Sequence, residues 1–154
     1  MRNEVRQFVG RRQKGAAAIE FALVFIIFFA VFYGLVSYSL PLLMLQSFNN
    51  ATAEAARSSV KFNPAGLTTA VYSAKVVANA QTVLTTQLAW LPSAFNFNVT
   101  TDATVVLSAT NLLTVTIAYP TTKLKTVVPT LTLPWVGSVP SLPTNLTAQA
   151  SLQL

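Results

Sequence analysis

Between Ala16 and Leu40 a single side chain carries formal charge, the carboxylate of Glu20, and it stands just past Lys14-Gly15. A carboxylate at the centre of a membrane span costs roughly 2.5–3.5 kcal/mol and less near an end, where it can reach toward water. Glu20 therefore needs either the interface or a cationic partner. The remaining chemistry-bearing residues form no catalytic set. The chain has no Cys and no His, which removes thiol chemistry, imidazole bases and most zinc sites together. Glu54 and Asp102 are the only acids beyond residue 20 and fall on different elements, which argues against a paired-carboxylate or metal site. Gly10, Gly15, Gly34, Gly66 and Gly137 make no phosphate-cradling spacing. No enzyme activity, cofactor or metal is expected.

The element that must position Glu20 is a membrane helix. The 25 residues from Ala16 to Leu40 span roughly 37 Å at 1.5 Å per residue, enough to cross a hydrocarbon core of about 30 Å with some tilt. Phe21, Phe25, Phe28, Phe29 and Phe32 point to several faces, as lipid immersion requires. Tyr33 and Tyr38 suit the far interface. The apolar run is longer than the core of a cleaved secretory signal. The net charge of +6 is concentrated before it, in Arg2, Arg6, Arg11, Arg12 and Lys14 against Glu4 alone. Such a tail marks the cytoplasmic flank of a span, with the body translocated. A nucleic-acid binder would carry its charge on a folded face, so none is expected as a partner. With 53% hydrophobic and 9% charged residues, against roughly 25% charged in soluble domains, the chain fits a membrane setting.

The order of these features, a basic leader, Gly15, then Ala16-Ala17-Ala18-Ile19-Glu20-Phe21, resembles the processing site of type IV-like prepilins. More closely it resembles the TadE-like pseudopilins of the tight adherence (Tad) pilus. The resemblance implies that a prepilin peptidase cuts between Gly15 and Ala16, that Glu20 becomes the fifth residue of the mature chain, and that Phe21 takes the aromatic place after the glutamate. It also implies a bacterial inner-membrane protein with a cytoplasmic N-terminus and a periplasmic body, partnered by other pilins, pseudopilins and an assembly platform, and able to enter an extracellular pilus. Under it, cleavage creates an α-amine on Ala16 that a neighbour's Glu20 can pair with. A paired buried charge is tolerable where a lone one is not, and the pair sets register. Gly15, with no side chain, can extend in a peptidase cleft. "QSFNNATAEAARSSV", residues 46–60, is similar to the stretch that follows the membrane span in TadE-like proteins, and the finish at 140–154 resembles theirs more loosely.

The expected fold is α+β: a long N-terminal helix, half in the membrane and half outside, a second helix, and a small, mostly antiparallel C-terminal sheet. The organisation read from composition is a basic leader at 1–15, a span at 16–40, a helical region at 41–91 and a β-rich region at 92–154. Pro41 predicts a kink or break near Leu40. Leu45, Phe48, Thr52, Ala55 and Ala56 share a helical face, and Glu54 and Arg57 are spaced as an i,i+3 pair. "FNPAG", residues 62–66, is a stop and turn, and a second helix follows over 68–91. Residues 95–109 and 112–120 read as strands with Asn111 at the turn between them, and Leu146, Ala148, Ala150, Leu152 and Leu154 alternate on one side of a last strand. Residues 121–143 hold four prolines and are too apolar for a solvated linker. They are either a loop packed on its own sheet or a contact surface, Trp135 included, for another subunit or the outer face of the bilayer.

Two classes of function follow. One is a structural pilus subunit. The other is an uncleaved single-pass anchor that displays the 92–154 sheet to a secretion or envelope component.

Overall fold

The computed structural model describes residues 14–133 and 137–154. The chain divides into two compact units, one ending at Leu35 and the other running from Val36 to Leu154. Helix α1, Lys14–Ser58, begins in the first and ends in the second.

In the first unit the helix is bare. Ile19, Phe21, Leu23, Val24 and their successors are exposed on every side. Phe21, Phe25 and Phe29 stack in an i,i+4 ladder with ring centroids 6.0 and 6.1 Å apart, so the aromatic rings cover the helix surface. This stretch is long and apolar enough to cross a membrane.

In the second unit the same helix becomes a core element. Ser37, Met44, Phe48, Ala51, Thr52, Ala55, Ala56 and Ser59 are buried at helical spacing, one stripe of a 3.6-residue period. The expected face of Phe48, Thr52, Ala55 and Ala56 is there, with Leu45 at its margin and Met44 and Ala51 added. Pro41 does not break the helix. The helix ends where Ser58 and Ser59 turn their hydroxyls back onto the Ala55 carbonyl, each at 3.0 Å. These bonds compete with helix propagation, and a 3-10 turn at Ser59–Lys61 leads to extended Phe62. Gly66, at φ 77°, makes the turn that follows.

Helix α2, Thr69–Gln87, is capped by Thr68, whose hydroxyl accepts from the Val71 N–H. It buries Tyr72, Val76, Ala80 and Leu84, one residue per turn. Asn79 donates to the Ser58 hydroxyl at 2.8 Å and so ties α2 to the end of α1.

The expected strand over 95–109 is corrected in its first half. A 3-10 turn at Ser93–Phe95 and a short helix α3, Val99–Asp102, precede strand β1, Ala103–Leu107. The reason is local. Asn98 Oδ1 accepts from the Thr100 N–H and Asp102 Oδ2 accepts from the Asn98 N–H, both at 2.9 Å. This reciprocal capping outcompetes a strand ladder. Strand β2, Leu112–Pro120, follows a turn in which Asn111 takes φ 60°. After helix α4, Thr121–Leu124, come strands β3, Leu131–Leu133, β4, Gly137–Val139, and β5, Asn145–Gln153. The sheet is three-stranded and antiparallel in the order β1-β2-β5, with β3 and β4 forming a separate hairpin. Leu113, Val115, Ile117 and Tyr119 of β2 all face the core, as an antiparallel sheet with one packed face requires.

Candidate processing and assembly site

Gly15, Ala16, Glu20 and Phe21 lie in the first turns of α1, all exposed. The helix sets their order in space. Ala16 and Glu20 are one turn apart on the same side, roughly 6 Å along the axis, and Phe21 turns aside to start the aromatic ladder. Glu20 has no hydrogen bond or ion pair among the described residues. At Gly15 an added Cβ would meet nothing within 4 Å, and its φ is not positive, so neither packing nor turn geometry calls for glycine. Gly34 is equally open. The glycine alone marks nothing, and the carboxylate one turn past Ala16 distinguishes Gly15. Trp135 and the basic residues up to Arg12 lie outside the described residues.

A second polar cluster was not foreseen. Lys123 Nζ, from α4, sits 2.7 and 2.8 Å from the two oxygens of Asp102, at the end of α3. It also donates to the Asn96 carbonyl at 3.1 Å and lies 5.9 Å from the centre of the Tyr119 ring. Asp102 is buried and Lys123 partly so. The Tyr119 hydroxyl donates to the Phe95 carbonyl at 2.7 Å. Burial, and secondarily the Asp102 charge, pushes the Tyr119 phenol up to about 12. Phe48, Phe97 and Tyr119 stack around the same point, centroids 5.5 to 6.2 Å apart. One signal could have pointed here: Asp102 is the only acid after Glu54. The cluster pins the 93–102 loop to β2 and α4. It holds one carboxylate and one amine that satisfy each other, with the Thr101 hydroxyl 3.3 Å from Asp102 Oδ1. The expected Glu54–Arg57 pair does not form, and both side chains are exposed.

An apolar helix long enough to cross a membrane runs on as the core helix of a small α+β body, an arrangement compatible with single-pass membrane anchoring. Residues 15–57 are TadE-like: they match the family model described as TadE-like protein. The match is confined to these residues, which lie along α1. No curated protein and no solved structure matches the chain.

Proposed function

We propose that this chain is a minor pilin, cut by a prepilin peptidase after Gly15 and assembled into a Tad-type pilus for surface adherence. The observation that carries the reading is Glu20, an exposed carboxylate with no hydrogen bond or ion pair among the described residues, one turn into a helix whose surroundings are otherwise apolar. Within a fibre of packed helices it requires a cation, and the α-amine released on Ala16 supplies one on a neighbouring subunit. The open space around Gly15 supports the same reading. A helical glycine costs about 0.5–1 kcal/mol relative to alanine, and a peptidase that needs the backbone extended there gives the position its purpose. The tail before Gly15 keeps the cut on the cytoplasmic side.

The test is Glu20→Ala in a piliated host. Membrane insertion and abundance stay at the wild-type level while incorporation into sheared fibres falls at least tenfold. Fibres containing the variant at wild-type amounts would contradict the pairing. Glu20→Gln, which keeps size and loses charge, separates the two contributions and fails in the same way.

A further inference from the structure

We propose that a cleft of about 380 Å³ beside the end of α1 binds a neutral saccharide, one or two sugar rings in size. The cleft lies within the second unit, and the inference does not depend on the roles given to Gly15 and Glu20. Three parts of the chain meet there. Phe62, Asn63 and Pro64 follow the 3-10 turn that ends α1, and the turn at Gly66 sends the chain back so that Tyr72 of α2 stands beside them. Asn111, between β1 and β2, and Gln153, at the end of β5, close the other side.

The observation that points to a ligand is Tyr72. Only 6% of the residue is exposed, yet its hydroxyl makes no hydrogen bond among the described residues. A buried tyrosine hydroxyl ordinarily finds a partner, as that of Tyr119 does at the Phe95 carbonyl. Among the described residues no buried side-chain oxygen or nitrogen is sealed from solvent without a partner. The Tyr72 hydroxyl is therefore reached from outside, through the cleft that Tyr72 lines.

The chemistry of the lining selects the class of ligand. Asn63 Oδ1 accepts from the Ala65 N–H at 2.9 Å, which leaves the side-chain NH2 to donate. Gln153 Nε2 donates to the Thr110 carbonyl, which leaves Oε1 to accept. The Asn111 side chain makes no hydrogen bond among the described residues, while its backbone carbonyl is held by the Leu154 N–H at 2.9 Å. One hydroxyl and three amides thus offer donors and acceptors together, without charge. An anion calls for donors alone and a metal ion for acceptors alone, whereas each sugar hydroxyl donates and accepts. Lys61, the charged side chain of the lining, sets its Nζ over the Phe62 ring, 5.5 Å from the centroid. Phe62 and Pro64 give the apolar surface that the C–H face of a sugar ring needs. The volume lies at the low end of small-molecule pockets, about 300–1,000 Å³, which suits one or two rings and not a folded partner.

The test is saturation-transfer NMR on the full-length chain in a sugar-free detergent, with glucose, galactose, N-acetylglucosamine and glucuronate as the probes. At least one of the three neutral sugars is expected to receive saturation, and to bind more tightly than glucuronate. Tyr72→Phe keeps the ring and removes a hydroxyl that no protein group holds. Its thermal midpoint is expected to stay at the wild-type value while affinity for the bound sugar falls about tenfold. Asn111→Gly removes the free amide at a position whose φ of 60° glycine accepts, and is expected to weaken binding about fivefold. It gives a second reading should the first variant prove less stable. Saturation of none of the neutral sugars would overturn the proposal. So would wild-type affinity in both variants, which would put the sugar elsewhere on the chain. Glucuronate binding ahead of every neutral sugar would overturn the neutral class and make Lys61 the selecting group.

Discussion

At the scale of single residues, the body depends on a few polar contacts placed in an apolar setting. Lys123 and Asp102 are the clearest. Removing the lysine leaves a buried carboxylate with the Asn98 N–H and the Thr101 hydroxyl as its partners, and truncating one side of such a pair costs about 3–5 kcal/mol when both are buried. Lys123 is partly open to water, so Lys123→Met is expected to destabilise by a smaller amount, about 1–3 kcal/mol. Asp102→Asn loses the charge and keeps a side-chain acceptor for the Asn98 N–H, so it costs less. Thermal unfolding of the full chain in detergent checks the order, and Lys123→Met melting with wild type would contradict it. Tyr119 gives a prediction with a sign. Its phenol is raised from 10.0 to about 12 in the fold, so the protonated form is favoured by folding. That stability is complete below pH 10 and is lost as pH rises from 10 through 12, by about 2–3 kcal/mol for a shift of this size. Tyr119→Phe removes this alkaline loss. It also costs about 1–3 kcal/mol at neutral pH, because the Phe95 carbonyl loses its donor. Stability measured against pH for both chains checks the two effects together.

At the scale of elements, α1 shows what periodicity can and cannot tell. The buried stripe through Phe48, Thr52, Ala55 and Ala56 was legible because small and apolar residues recur at three and four. The strand β2 was legible because Leu113, Val115, Ile117 and Tyr119 alternate without interruption. The 95–102 stretch was not. Its Phe, Val and Thr content favours a strand, and the outcome turned on Asn98 and Asp102 bonding to nearby backbone, an effect that composition does not weigh. The 121–143 stretch was legible only as apolar and proline-rich. Its short hairpin is fixed by cross-strand pairing that no local pattern announces, although the tie between Thr121 and the Pro143 carbonyl at 2.6 Å shows how α4 and the approach to β5 are held. Of the proposed site, Gly15 and Glu20 were legible because a lone charge in an apolar run stands out. Lys123 was not, because its partner is 21 residues away. Phe48 is the residue on which α1, the 93–102 loop and β2 converge, fully buried against Phe97 and Tyr119. Phe48→Ala is expected to cost about 3–5 kcal/mol and to loosen the body while leaving the first unit helical. Far-ultraviolet circular dichroism through a denaturant titration would show the shifted midpoint.

At the scale of the whole molecule, one helix serves two solvents. From Ala16 to Leu35 it offers a surface that is apolar apart from Glu20 and the Tyr33 hydroxyl, and from Ser37 onward one side of it is the wall of a protein core. The TadE-like match lies along this helix, from 15 to 57, and so covers both uses. The β-rich region lies outside that match, and from Thr126 to Leu154 it carries no Asp, Glu, Lys or Arg. In the proposed account the molecule has two lives, anchored in the membrane and then packed in a fibre, and the cut after Gly15 divides them. The most direct test of that claim is the intact mass and N-terminal peptide of the protein taken from membranes, with and without the host's prepilin peptidase. The account predicts a chain beginning at Ala16 when the peptidase is present and one retaining residues 1–15 when it is absent. A chain that keeps residues 1–15 in both hosts would contradict it.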